Sequence, residues 1–344
     1  MMVTMRMGMG MGAAGLIAAC LGACTIDEPE TSTVDQYGMN MQGMNMQGMN
    51  MQGMNMQGMN MQGMNMQGFL LDDAVIGNNQ SLDDVRVERG EVIAERGGQT
   101  LRGTQLVGAR FIARVVSSDS PPVVAELEYR ITAIMAELAS YDPTYTGSTY
   151  LYTLEQYRYD TNTWEPACGP DLDGRRVAIP LAATWNTHGD RLESATQFTF
   201  ACTTGVIAKC YRWGYRPWLT GYGADMTTMH QSCTRLARAD YCGDGTPHTQ
   251  DGTWINVWDN LSPQIQRRTL LPPLGFLFEA GWNADGAVCL SHARWLLDDT
   301  LANLCPDRLV PPGLLGETVC DSAALVLGYD ANARLFNESN LLNL

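Results

Sequence analysis

The chain has 344 residues, 45% of them hydrophobic and 17% charged, enough to bury a substantial core as one large or two small domains. Its 22 basic residues face 37 acidic ones, giving a net charge of −15, and no basic run or stripe interrupts that excess. Phosphate contacts need concentrated positive charge, so the composition argues against a nucleic-acid partner.

Arg6 is the only cationic side chain before an apolar run at residues 13–21. That run is shorter than the roughly 20 residues a membrane-spanning helix needs and fits the core of a secretory signal peptide. It ends in Leu21-Gly22-Ala23-Cys24, followed by the polar "TIDEPETSTVDQ". This ending resembles a bacterial lipobox, which implies cleavage after Ala23 and acylation of Cys24. The alternative is an ordinary signal peptide with a chance cysteine. One acyl chain holds a protein to a bilayer marginally, whereas two or more anchor it stably. The partner expected at this end is therefore a lipid bilayer. Thr25, rather than Asp, follows the cysteine, which by the same resemblance leans toward the outer membrane over the inner.

A polar tether over residues 24–37 leads into six identical Gly-Met-Asn-Met-Gln pentads over residues 38–68, which hold twelve of the chain's 21 methionines. Thioethers are soft ligands that suit Cu(I), so a copper-binding envelope protein is one reading of this array. No Cys or His accompanies the methionines within it. The other reading comes from its frame. Met41, Met46, Met51, Met56, Met61 and Met66 recur every fifth residue, and the frame returns at Leu101, Leu106 and Phe111. This resembles the pentapeptide-repeat pattern, whose central residue points into a square β-helix. Six pentads make about one and a half coils, fewer than the three units a solenoid usually needs. A partial coil capped on the folded domain and an unstructured linker both remain open.

Residues 69–98 are mixed and acidic, with "EVIAER" as a short strand. "ELEYRITAI" alternates cleanly, with Leu127, Tyr129, Ile131 and Ala133 on one face, and predicts a half-buried strand. "STYLYTLEQYRY", "RRVAIPL" and "TQFTFAC" are further strands, and "DTNTW" is a turn. Met226, Met229, Cys233, Leu236 and Ala237 recur at helical spacing, predicting a helix over residues 225–239, with Gly243-Asp244-Gly245 as a breaker. "TWINVWD" and "LGFLFEAGW" return to strand, and residues 295–304 read as a helix ending at Pro306. The fold class is α+β, strand-dominated and disulfide-stapled.

Without Cys20 and Cys24, eight cysteines remain: Cys168, Cys202, Cys210, Cys233, Cys242, Cys289, Cys305 and Cys320. An even number in an exported chain reads as a disulfide framework of up to four bridges, whose pairing the spacing leaves open. Cys202 and Cys210 flank "TTGVIAK", where a hairpin with a short cross-bridge fits. Within one helix Cys233 and Cys242 would stand roughly 13 Å apart, beyond the roughly 7 Å a disulfide tolerates. Either the helix ends before Asp240 or the two pair elsewhere. A zinc site of His230, Cys233, Cys242 and His248 competes, but its spacing is not that of the compact zinc motifs. The Asp-rich turns "DLDG" and "CGDG" lack EF-hand spacing. No metal or cofactor is expected.

At "CTRLARADYCGDG" the chain resembles the ADYC domain of bacterial, largely myxobacterial, exported proteins, named for Ala239-Asp240-Tyr241-Cys242. "FTFACTTGVIAKCYRWGYRPW", "DGTWINVWD" and "FEAGWNADGAVC" support the likeness. The resemblance implies a shared fold and export, and assigns no catalytic residue. The expected organisation is a lipoprotein signal over 1–23, tether over 24–37, pentads over 38–68, a mixed segment over 69–116 and an ADYC-type disulfide-rich domain over 117–344.

Asp240 near a helix C-terminus opposes the dipole, so a salt bridge with Arg235 or Arg238 is the expected structural role. The catalytic alternative gathers Asp240, His248, Glu279 and His292, with Glu279 raised in pKa by its apolar strand and acting as acid or base. No nucleophile elbow, HExxH, P-loop or paired-carboxylate motif accompanies them. The leading expectation is an exported envelope lipoprotein that is structural or binds an envelope protein partner. A hydrolase-like enzyme is the minor alternative.

Overall fold

The structure is a computed structural model. It describes residues 54–56, 69–116, 124–138, 148–295 except 172, 187, 195, 251, 252, 271 and 273, then 305 and 320–340. All of them belong to one compact unit, Gln36–Leu344. The signal segment, Cys24, the tether, most of the pentads and residues 296–304 of the expected last helix lie outside the described residues.

In chain order the elements are β1 (Met54–Met56), β2 (Phe69–Ile76), β3 (Gln80–Ser81), β4 (Asp83–Glu88), β5 (Glu91–Arg96), β6 (Gln99–Arg102), a 3-10 turn (Gly103–Leu106), β7 (Arg110–Val116), β8 (Val124–Leu138), β9 (Ser148–Arg158), β10 (Thr163–Pro166), β11 (Val177–Leu181), β12 (Ala183–Trp185), β13 (Arg191–Glu193) and β14 (Gln197–Cys202). Then come α1 (Val206–Arg212), α2 (Met226–Arg238), β15 (Thr253–Asp259), β16 (Phe276–Asn283), β17 (Gly286–Leu290), α3 (Ala323–Tyr329) and β18 (Leu335–Asn340).

The largest sheet closes on itself. Its hydrogen-bonded order is β9-β11-β14-β2-β7-β8, and β8 pairs back to β9, so six antiparallel strands form a barrel with β10 and β3 as appendages. A small barrel is filled by its own side chains. Here Phe111, Phe198, Phe200, Tyr152 and Ile131 belong to one buried cluster, with the Phe200 ring 5.5 to 6.2 Å from its three aromatic neighbours. The alternation in "ELEYRITAI" places Tyr129 and Ile131 inside as expected. A bulge between Ile131 and Ala133 then shifts the phase, so Ile134 is buried in place of Ala133. A bulge adds one residue to one strand and reverses the faces beyond it.

β11 is buried along its whole length. Ala178 joins the barrel cluster, while Val177, Ile179 and Leu181 join a second core with α1 and α2. A strand covered on both faces reads as a continuous apolar run, as "VAIPL" does. On the far side of the helices lies an antiparallel sheet of order β1-β15-β18-β16-β17, whose Ile255, Val257, Ala280, Trp282 and Leu335 complete that second core.

Two expectations are corrected. "TTGVIAK" is no hairpin: after Gly205 it forms α1, with all seven helical residues buried. The β-branched run is overridden by tertiary burial, which outweighs weak local propensity. Leu101, Leu106 and Phe111 are buried together as the fivefold frame suggests, but on a strand, a 3-10 turn and a strand of two antiparallel sheets. They form no β-helix coil. Met54–Met56, from the fourth pentad, is an edge strand antiparallel to Thr253–Ile255.

Candidate functional site

The motif follows directly from how α2 ends. Asp225 caps its N-terminus, accepting hydrogen bonds from the Thr227 and Thr228 N–H groups at 3.1 and 3.3 Å. This is the favoured N-cap chemistry. Ala239 ends the helix in the left-handed region, at φ 52°. That turn aims Asp240 and Tyr241 in different directions and sends Cys242 to Cys305.

Asp240 is fully buried and pairs with Arg235, at 2.5 Å from its Nη1. It also accepts the Gly245 N–H at 3.1 Å. Arg235 in turn donates to the carbonyls of His188 and Ala284, at 2.6 and 3.2 Å, and pairs with Asp190. This is the expected salt bridge at the helix end. It shows why a carboxylate is tolerated beside the C-terminal dipole: a cation from the same last turn neutralises it.

Tyr241 points the other way. Its hydroxyl donates to Glu279 at 2.9 Å and accepts the Arg294 N–H at 2.9 Å. Its ring stacks on Trp282 at 5.2 Å, with the His248 ring 5.7 Å away. Arg294 grips Glu279 with two hydrogen bonds, at 2.9 and 3.1 Å, and donates to the Leu236 carbonyl at 3.0 Å. One guanidinium thus neutralises a buried carboxylate and caps the end of α2, the bidentate geometry in which Arg excels. His292 stands beside this pair and hydrogen-bonds Ser339 at 3.1 Å. At Gly286, on the turn between β16 and β17, an added Cβ would lie 2.7 Å from the Tyr241 carbonyl oxygen, so only glycine lets this turn close on the motif.

The electrostatics run opposite to the raised carboxyl expected at Glu279. Burial pushes its carboxyl up, but the charge and hydrogen bonds of Arg294, together with His292 and Ser339, outweigh burial and hold it below the ordinary carboxylate range. An apolar strand alone would have raised it. Burial lowers His292, against the pull of Glu279. Of the four candidates, His248, Glu279 and His292 gather around Tyr241 and its partners, while Asp240 is spent on Arg235 and Gly245. Asp240, Tyr241, Glu279 and Arg294 have no solvent exposure.

Among the described residues, clefts reach solvent elsewhere. One, of about 440 Å³, is lined by Asp225, Met229, Asn283, Asp285, Asp330 and Arg334. The other, of about 220 Å³, is lined by Arg89, Gly90, Leu181, Arg191, Glu193 and Trp218. Neither is lined by a motif residue or by His248, Glu279 or His292.

All eight cysteines are bridged, Cys168 to Cys202, Cys210 to Cys233, Cys242 to Cys305 and Cys289 to Cys320. The short Cys202–Cys210 bridge is therefore not formed. α2 stops before Asp240, and Cys233 and Cys242 take separate partners. No thiolate is left for the zinc reading, and among the described residues no group of three or more His, Cys, Asp or Glu is arranged around a metal position. The carboxylates of Asp171 and Asp244 are engaged by the N–H groups of their own turns. Sequence reasoning missed Arg294. The one available signal was its place in "SHARW", beside His292.

Residues 103–296 match the family described as the ADYC domain. No curated protein and no solved structure matches the chain.

Proposed function

The chain belongs to the ADYC-domain family, and from that premise we propose that it is an exported, acyl-anchored protein whose ADYC domain is a disulfide-locked scaffold for binding an envelope partner rather than an enzyme. One observation carries the reading. The ionisable groups of the motif are consumed by internal partners with no solvent contact, so they act on the fold and not on a substrate. Four disulfides and the lipobox-like Cys24 fit an oxidising, membrane-proximal setting. The pentads ahead of β1, between anchor and domain, set the reach of the scaffold.

Two measurements test the two halves. Metabolic labelling with an alkyne fatty acid in a bacterial host should mark the wild-type chain and not Cys24→Ala, and only the labelled chain should partition with membranes. Label retained by Cys24→Ala sinks the anchor. For the scaffold, Glu279→Gln leaves Arg294 buried without its counter-charge, and breaking one partner of a buried pair costs about 3–5 kcal/mol. Chemical denaturation should show a loss of that size. Unchanged stability would return Glu279 to the list of catalytic candidates.

A further inference from the structure

The cleft of about 220 Å³ is built from separate parts of the chain. Arg89 lies on the turn between β4 and β5, Leu181 ends β11, Arg191 and Glu193 belong to β13, and Pro217 and Trp218 follow α1. In a chain of net charge −15, this cleft gathers two arginines against one glutamate. Arg191 points to a ligand. Its side chain is 6% exposed and pairs with Glu193, whose own side chain is 67% exposed. Its backbone N–H donates to Gln231 Oε1 at 3.2 Å, and its guanidinium stands 5.9 Å from the centre of the Trp185 ring. Among the described residues its Nε has no hydrogen-bond partner. Buried polar groups are normally satisfied, and a buried cation with a donor unmet is costly. Burial pushes Arg191 down to about 10, against the pull of Asp225, so its charge is under-compensated inside the protein.

Arg89 supplies a second, independent observation. Glu88 pairs with Glu91, so Arg89 and Gly90 are the two residues of a tight hairpin turn, with φ of 51° and 77°. Such a turn is filled most readily by Asn-Gly or Asp-Gly. A Cβ at Gly90 would collide with the Tyr211 hydroxyl and lie 3.1 Å from the Trp218 ring, so the turn is pressed against that wall. Arginine in the left-handed region is held at a conformational cost, and its side chain is exposed. Turn chemistry gives no reason for arginine here, whereas the cleft does. Between the two arginines the walls are apolar, with Leu181 buried and Pro217 and Trp218 half-buried. Drug-sized sites begin at roughly 300 Å³, so the cleft fits a group the size of one side chain. Its single excess positive charge complements one carboxylate better than a dianionic phosphate, and the planar guanidinium fork matches a carboxylate.

We propose that this cleft binds a carboxylate carried on one apolar group, whether a small hydrophobic acid or the C-terminal residue of a peptide. Arg191 and Arg89 take the carboxylate, and Leu181, Pro217 and Trp218 surround the apolar group. Glu193 is the internal carboxylate that occupies Arg191 until the ligand displaces it. The inference goes beyond the scaffold reading and does not depend on it, because no residue of the buried motif lines the cleft.

The test titrates the full chain, with its disulfides oxidised, by calorimetry against 3-phenylpropionate, its neutral amide, acetate and phenyl phosphate. The acid should bind with a Kd of about 1 mM or tighter, and the amide and acetate about tenfold more weakly or not at all. Arg89→Gln, an exposed change, and Arg191→Gln should each weaken the acid about tenfold. Glu193→Gln should strengthen it by removing the internal competitor, a gain that a purely structural Arg191 would not produce. If Arg191→Gln does not fold, the Arg89 and Glu193 variants decide. A short peptide ending in phenylalanine, with its C-terminus free or amidated, separates the sources. Binding of the free end alone assigns a chain terminus, and binding of neither beside bound 3-phenylpropionate assigns a small acid; either upholds the site. No binding of 3-phenylpropionate, equal binding of acid and amide, or tighter binding of phenyl phosphate overturns the proposal. So does Arg89→Gln that binds the acid as wild type does, or Glu193→Gln that binds it more weakly.

Discussion

At the scale of single residues, burial decides what each titratable group does. Lys209, the only lysine, is fully buried in α1, and His230 is fully buried in α2. Burial first, then the charge of Arg191, depress the His230 imidazole to about 3, against its hydrogen bond to the Ile207 carbonyl. The sign follows from linkage. An unfolded imidazole takes up a proton near pH 6.5, whereas the folded one does not until about pH 3. Between those limits the unfolded state holds more protons, so stability falls on acidification by up to about 1.4 kcal/mol per pH unit. Glu279 acts in the same direction at lower pH. Its folded pKa is depressed, so its contribution is complete above the unfolded value of about 4.3 and is lost as pH falls through the folded one. Calorimetry between about pH 7 and about pH 5 should find a shallower fall in melting temperature for His230→Gln than for wild type. Parallel profiles would show that His230 titrates in the fold as it does in the unfolded chain. Neither outcome was legible in "MTTMHQSC", because helical spacing marks a face as apolar and says nothing of the charge packed behind it.

At the scale of elements, local patterns held where a cap or an apolar period is written into the segment itself. α2 and β15 lie at the expected positions because capping and periodicity are local properties. α1 did not, because Gly205 gives it no side-chain cap and its packing on α2 and β14 decides the helix. The edge strand β1 carries a consequence of its own. It is one of six identical Met-Asn-Met copies, so each copy offers the open edge of β15 the same sequence. Deleting a single pentad should therefore leave hydrogen-exchange protection along the outer edge of β15 unchanged, because a neighbouring copy takes the place of Met54–Met56. Deleting all six should remove it. Protection lost with one pentad would show that register, not repetition, selects the strand.

At the scale of the whole molecule, disulfides join elements that are distant in sequence. Cys210–Cys233 ties α1 to α2, and Cys289–Cys320 ties β17 to the start of α3. Cys242–Cys305 spans 63 residues, and closing a loop of that length constrains the unfolded chain by about 4 kcal/mol in the chain-entropy account. Urea denaturation of Cys242→Ser/Cys305→Ser should show a loss approaching that value, with the barrel intact at low denaturant because its strands precede both cysteines. A double variant as stable as wild type would mean that the motif is held by Arg235 and Arg294 alone.

The strand-dominated class, the even cysteine set, the limits of α2 and the ADYC family are legible in the chain, because they rest on composition, period and contiguous motif. The closure of β8 on β9 into a barrel, the pairing of the cysteines and the reach of Arg294 to Glu279 emerge only in the folded protein. Those are contacts between segments tens of residues apart, and their selection depends on which faces meet in the core. The motif is the clearest case. "ADYC" is visible in the chain, but its meaning as the buried junction of a helix, a sheet turn and a disulfide comes from partners that the four letters do not contain.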